Sequence, residues 1–255
     1  METLLKGYPG TVVVLFSLVF RLVYWLLQGL QVPQVVQQDA FRLWKWKNLS
    51  LSLVHSTLTG TWAVTCALVW PETLSNLHSF QTPQSYLLVC VSTGYFVHDA
   101  CDIILTKNAR GSWEFLVHHA LVIWCFMYAL YTEVYVAGAV IALFVEVNSV
   151  TLHMRLMLKL LGAQSTPIYY IIKFANLFTY VTFRLSTQFY LTWYIIYNYS
   201  WLDHSGYFLA SMMAMNAMIL VYFYRLLRAD FFPRSKKHTG QNGTHNNNSK
   251  KFLSD

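Results

Sequence analysis

Charge is what this chain has least of. Only 11% of its 255 residues are Asp, Glu, Lys or Arg, against roughly 25% in an ordinary soluble domain. The apolar residues, 56% of the total, come in long runs instead of amphipathic stripes, so a soluble charge-covered domain is excluded and lipid is the expected solvent. Cysteine is scarce as well. Cys66, Cys90, Cys101 and Cys125 all lie inside apolar runs, which leaves no loop pair for a disulfide framework and no C-x-x-C spacing for a zinc site. There is no internal repeat, no Asp-Arg-Tyr or Asn-Pro-x-x-Tyr string of a seven-helix receptor, and no repeated ring-forming motif of a channel.

What the chain does have is hydrophobic length. Apolar runs at 10–30, 49–70, 85–106, 113–132, 134–158, 168–198 and 206–227 each approach or exceed the ~20 residues needed to cross a bilayer as a helix. These runs predict an all-α polytopic membrane protein of seven transmembrane helices. The charges in the connections alternate in step. Arg42, Lys45 and Lys47 follow the first run, Lys107 and Arg110 the third, Arg155 and Lys159 the fifth, and Arg225, Arg228, Arg234, Lys236 and Lys237 the seventh. Glu72, Glu133 and Asp203 mark the other connections. The positive-inside rule then places the N-terminus outside and the tail in the cytosol.

Residues 1–43 are expected to form an N-terminal transmembrane anchor and the first cytosolic loop. Lys6 ahead of "PGTVVVLFSLVF" keeps a secretory signal open as the alternative. Residues 232–255 read as a disordered basic cytosolic tail, attracted to an anionic inner leaflet and not to nucleic acid.

Ionisable side chains inside such runs are costly and mark a site or pathway. His98, Asp99 and Asp102 in "YFVHDACDII" fall three and four residues apart on one helix face, and a carboxylate beside an imidazole holds its tautomer and raises its basicity. His118 and His119 in "WEFLVHHALVI" point about 100° apart, so one of the two aims straight at a shared cavity. These five are the candidate catalytic residues. His55, Glu146, Asn148, His153, Asn176 and Arg184 extend a polar lining for substrate, with Lys173 and Gln188 beside them. At ~1.5 Å rise per residue, His55, His98, Asp102, His118, His119 and His153 all fall roughly 6–12 Å from the cytosolic helix ends. They share one layer. The bland reading stands next to this: His55 and His153 as interhelical hydrogen-bonding groups, Arg21 and Arg184 as ion-pair partners of acids such as Glu146, and Trp25, Trp44, Trp46, Trp70 and Trp113 as an interfacial belt. The spacing matches no zinc signature, so no metal is expected.

The strings "WKNLSLSLVHSTLTGTWA", "STGYFVHDACDII", "SWEFLVHHALVI" and "LLRADF", in that order, resemble the TLC domain family over residues 44–231, and within it the subgroup of TLC domain-containing proteins 1 and 2. The resemblance implies a barrel of six of the seven helices around an internal polar cavity. It also implies a role in the phospholipid acyl composition and fluidity of the plasma membrane, although hydropathy would equally allow the endoplasmic reticulum.

The family includes ceramide synthases, which use a paired-histidine motif and a later His-Asp-x-x-Asp motif. His118 and His119 match the first. At "FVEVNSV" Val145 replaces the histidine, Glu146 keeps an acid and Ser149 replaces the last aspartate, which argues against ceramide synthesis. The expectation is His-dependent acyl transfer to a lysophospholipid. It needs no resident cofactor and takes acyl-CoA as acyl donor, with membrane lipids as partners. The alternative is a non-catalytic lipid-binding protein that modulates membrane homeostasis or other membrane proteins. Nothing in the residues fixes an oligomeric state.

Overall fold

The computed structural model describes residues 6–29, 32–106 and 113–232. Lys107, Arg110 and the tail beyond Phe232, with Arg234, Lys236 and Lys237, lie outside the described residues. The long elements are α1 (Pro9–Gln28), α3 (Ala40–Val69), α5 (Pro83–Leu105), α6 (Trp113–Thr132), α8 (Val145–Leu160) and α11 (Ser205–Phe231). Short helices α2 (Gln34–Gln37), α4 (Glu72–Ser75) and α7 (Val136–Ala142) stand between them. Before α11, α9 (Pro167–Thr179), a π-helical segment (Tyr180–Leu185) and α10 (Ser186–Tyr197) follow one another without a loop.

Local chemistry sets where these helices begin. Thr82 and Ser85 form a reciprocal capping box ahead of α5, with Pro83 in the first turn where its missing N–H costs nothing. Asp39 caps α3 by accepting from the Phe41 N–H, and Thr166 caps α9 by accepting from the Tyr169 N–H.

The protein is all-α and crosses the membrane several times, but the expected count of seven does not hold. Five helical stretches among the described residues are long and apolar enough to span: Pro9–Leu27, Pro83–Leu105, Trp113–Thr132, Val136–Leu160 and Ser205–Phe231. The run at 49–70 belongs to α3, where repeated Ser and Thr together with His55 dilute the hydropathy below that of a span. The run at 168–198 is not one regular α-helix: the π segment divides it into stretches of 13, 6 and 12 residues, so no single α-helix there is of spanning length.

The six-helix barrel is corrected too. Staves of a barrel would be covered about equally, whereas α5 is buried along most of its length and α6 along little of it. α5 is a central helix wrapped by α1, α3, α6 and α7. Among the described residues, a cavity of about 70 Å³ lies between α6, α7, α10 and α11 and is walled by apolar groups such as Leu77, Phe126, Leu191, Tyr194, Phe208 and Met212.

Lipid tails are as apolar as leucine, so helices in a bilayer associate through close packing at small residues and through polar contacts. Gly94 on α5 shows the first. A Cβ there would lie 2.6 Å from Phe16 Cβ and 2.9 Å from both the Val13 carbonyl oxygen and the Ser17 nitrogen of α1. Gly60 on α3 is close against α8, though less so, with a Cβ 3.0 Å from the Val147 nitrogen.

The polar contacts separate into two ends. One gathers Lys6, whose Nζ is 2.8 Å from Glu133 Oε2, with Gln81, which donates to the same oxygen at 3.0 Å. Tyr135 belongs there too and donates to the Asp203 carbonyl at 2.6 Å. The other gathers Arg155, Lys173, Glu114, Arg225 and Asp230.

Two predictions follow from this packing. Gly94→Val drives side-chain atoms into the α1 backbone, an overpacking cost of ~1–3 kcal/mol. It should lower the thermal midpoint of the detergent-purified chain by roughly 4–10 °C. At the other contact, the hydrogen bonds from Lys6 and then Gln81 hold the Glu133 carboxyl below the ordinary carboxylate range. Stability from a depressed acid is present above its unfolded value of about 4.3 and is lost as pH falls through the folded value. Glu133→Gln should therefore cost under about 1 kcal/mol at pH 7, the pair being half-exposed. The difference between the melting curves of parent and variant should shrink as pH falls below the ordinary carboxylate range.

Candidate functional site

α5 supplies the acids. Gly94, His98 and Asp102 recur every four residues on one face of that helix, and the face meets α1. Asp99, turned about 100° from His98, meets α3 and α6. Asn48 Nδ2 donates to Asp99 Oδ1 at 2.5 Å, and His119 Nε2 stands 3.2 Å from Asp99 Oδ2. The other His119 nitrogen lies 2.6 Å from the Phe115 carbonyl oxygen one turn back, a contact that requires hydrogen on Nδ1. Nε2 then attracts the carboxylate only when a further proton sits on Nε2 or on Asp99. His119 is thus held from both sides.

The α1 face is equally occupied. Asp102 accepts from Trp44 Nε1 at 2.9 Å and lies 3.3 Å from Arg21 Nη1. His98 is buried beside the Tyr24 ring, 5.9 Å between centroids, and neither of its nitrogens has a hydrogen-bond partner among the described residues.

A second group lies between α3, α8 and the π segment. His55 is fully buried and stacks on the Tyr95 ring at 3.8 Å. Its Nδ1 is 3.9 Å from Glu146 Oε2, and that oxygen accepts from Ser56 at 2.7 Å. Arg184 donates from Nη2 to Ser149 Oγ at 2.9 Å, while its Nε is buried without a partner. His118, half-buried with its ring 5.5 Å from that of His119, makes no hydrogen bond among the described residues. Among those residues, no three His, Cys, Asp or Glu side chains converge as metal ligands must.

Residues 45–228 match the TLC domain. The chain belongs to the TLC domain family. It is 40% identical over 205 residues to TLC domain-containing protein 1 of Gallus gallus, a match covering 80% of this chain and 81% of that protein. Against the human protein of the same description the identity is 37% over 217 residues, covering 85% and 88%. TLC domain-containing protein 2 of Danio rerio is 38% identical over 220 residues, covering 86% and 88%.

Within this TLC domain the fold brings His55 to Glu146 and Arg184 to Ser149, and it sets His118 beside His119 and His119 on Asp99, with the Phe96 ring 5.4 Å from both His55 and His119. His153 lies on α8 with its Nδ1 buried and without a hydrogen-bond partner among the described residues. His98 and Asp102 instead face α1. Asn148 and Asn176 stand apart. Asn148 Nδ2 donates to the Asn176 side chain and backbone at 3.1 Å and to Thr179 at 3.0 Å, which clamps α8 to α9. The arginines read as partners of acids such as Glu146 divide: Arg21 takes Asp102, and Arg184 donates to a serine.

Sequence reasoning missed Asn48, and it read Trp44 as interfacial belt although its indole holds Asp102. A signal for Asn48 was present: Asn48, Ser52, His55 and Thr59 follow the i, i+4, i+7, i+11 spacing of one polar helix face. Arg155, expected in a connection, is buried inside α8 and paired with Asp230.

The Asp99–His119 contact is directly measurable. Asp99→Asn and His119→Gln should each lower the thermal midpoint, and the double variant should lose less than their sum. The expected coupling is about 1 kcal/mol or more in a double-mutant cycle.

Proposed function

We propose that this TLC-domain protein adjusts the acyl-chain composition of membrane phospholipids by transferring an acyl group from acyl-CoA to a lysophospholipid. His118 is its general base, and the plasma membrane, as the resemblance implies, is its site of residence. The observation that carries this reading is the division of labour in the histidine pair. Both nitrogens of His119 are engaged, by Phe115 and Asp99, while the adjacent His118, its ring 5.5 Å from that of His119, makes no hydrogen bond among the described residues.

The step balances with these groups. A His118 nitrogen takes the proton of the lysophospholipid hydroxyl as its oxygen adds to the thioester carbonyl. The carbon–sulfur bond then breaks, and the leaving thiolate receives that proton. Arg184 suits the phosphate of either reactant, and the polar end of the fold suits a donor arriving from water. His119 and Asp99 act through position and charge, setting the environment of the neighbouring ring.

A non-catalytic reading, in which the fold binds lipid and alters its partition, draws on a different observation. Asp99 and Asp102 are already taken up by protein donors, and the cavity among the described residues is apolar.

The two readings part on His118. On the enzyme reading, purified full-length protein converts labelled acyl-CoA and lysophospholipid to diacyl product, and His118→Ala reduces the rate ~10²–10⁴-fold. In cells lacking the protein, that variant reaches the membrane but leaves the phospholipid acyl profile uncorrected. A profile restored as fully by His118→Ala as by the parent chain removes the catalytic reading and leaves the binding one.

A further inference from the structure

The face of α5 that carries Gly94, His98 and Asp102 looks at neither the histidine pair nor the lipid: α1 covers it. The two backbones touch at Gly94, where any Cβ would collide with the Val13 and Ser17 main chain. Toward the basic end, Phe20 sets its ring edge against Tyr95 at 5.3 Å and His55 at 5.8 Å. Tyr24 then covers His98, and Arg21 reaches Asp102. Every group on this side of the polar layer therefore has an α1 residue over it. Without α1, a carboxylate whose side chain is 4% exposed and an imidazole with two unpartnered nitrogens would meet hydrocarbon, which membrane helices avoid at a cost of several kcal/mol.

Asp99 follows His98 in the sequence, so the two faces of α5 are mechanically one. A rotation that takes Asp102 away from Arg21 and Trp44 also swings Asp99 away from Asn48 and His119, since helix residues turn as a rigid unit. We propose that α1 is a permanent wall of the histidine site and that Arg21 is its positioning residue, holding Asp102 and with it the rotation of α5 that presents Asp99 to His119. α1 is then retained in the working protein, and the secretory-signal alternative falls. The link to catalysis rests on the acyl-transfer reading; the link between Arg21 and the Asp99–His119 contact does not.

The test measures that contact without any reaction. The Asp99→Asn and His119→Gln cycle is run by thermal unfolding of the detergent-purified full chain, in the parent, in Arg21→Met and in Arg21→Lys. Mass spectrometry of the same preparations reads the N-terminal peptides. The expected result is coupling in the parent, none in Arg21→Met, recovery in Arg21→Lys, and α1 peptides present throughout. Undiminished coupling in Arg21→Met, or a mature chain that lacks α1, overturns the proposal.

If Arg21→Met does not fold, the exchanged pair Arg21→Asp with Asp102→Arg decides. A folded chain with the coupling intact supports the positioning role, and a chain that does not fold or shows no coupling ends it. Loss of coupling in Arg21→Met together with a silent His118→Ala would keep this inference and discard the enzyme.

Discussion

A carboxylate surrounded by hydrocarbon has to find its partner inside the protein, and α5 carries two of them three residues apart. Apolar burial cannot choose the rotation of such a helix, because lipid and leucine offer it the same solvent. The acids can. Asp102 is satisfied only where Trp44 and Arg21 reach it, and Asp99 only where Asn48 and His119 do. The four partners come from α1, α3 and α6, so meeting both demands fixes one rotation of α5 and draws those three helices to it. The close approach of α1 to α5 at Gly94 lies on the same face two turns from Asp102.

The same rule ties down the elements that α5 does not touch. Asp230 near the end of α11 accepts a bidentate pair from Arg155 of α8 and lies within 3.9 Å of Lys173 of α9. Glu114 at the start of α6 takes Arg225 through both guanidinium nitrogens and Tyr222 through its hydroxyl. Along its length α11 is otherwise lightly covered, 28% of its apolar window being buried, so these end clamps have more to hold than packing does. Where charges would be too expensive, amides and hydroxyls take over. Asn216 donates to Thr192 at 2.9 Å between α11 and α10, and Asn148 clamps α9 in the middle of the fold.

These demands explain which parts of the fold the residues announce. Helical class, membrane residence and the family were legible because each rests on a long signal: apolar runs, or four motifs in order. The meeting of α5 with His119 was legible in kind, since buried Asp and His have few uses other than each other. The identity of the remaining partners was not. A tryptophan near a helix end is equally good as an interfacial anchor or as an indole donor, and only the neighbouring helix decides. The span count failed for a related reason. Hydropathy sums over a run without regard to direction, and α3 presents Ser52, His55, Ser56 and Thr59 inward while Thr57, Thr61 and Thr65 spend their hydroxyls on their own backbone. The result is a 30-residue helix less apolar than a span.

The break in the 168–198 run has a mechanical meaning as well. Inserting one residue into a helical turn advances everything downstream by about 100° relative to what precedes it, and π-helical turns absorb such an insertion without ending the helix. α9 faces α8 through Asn176 and Thr179, whereas α10 buries Thr187, Gln188 and Leu191 against different neighbours. A straight α-helix could not keep both faces in register with the chain between them. The widened turn solves that conflict, and it is there that Arg184 sits, with Ser186 donating to the Val181 carbonyl five residues back at 2.9 Å. The irregularity that removes 168–198 from the list of simple spans thus also turns a guanidinium inward to Ser149.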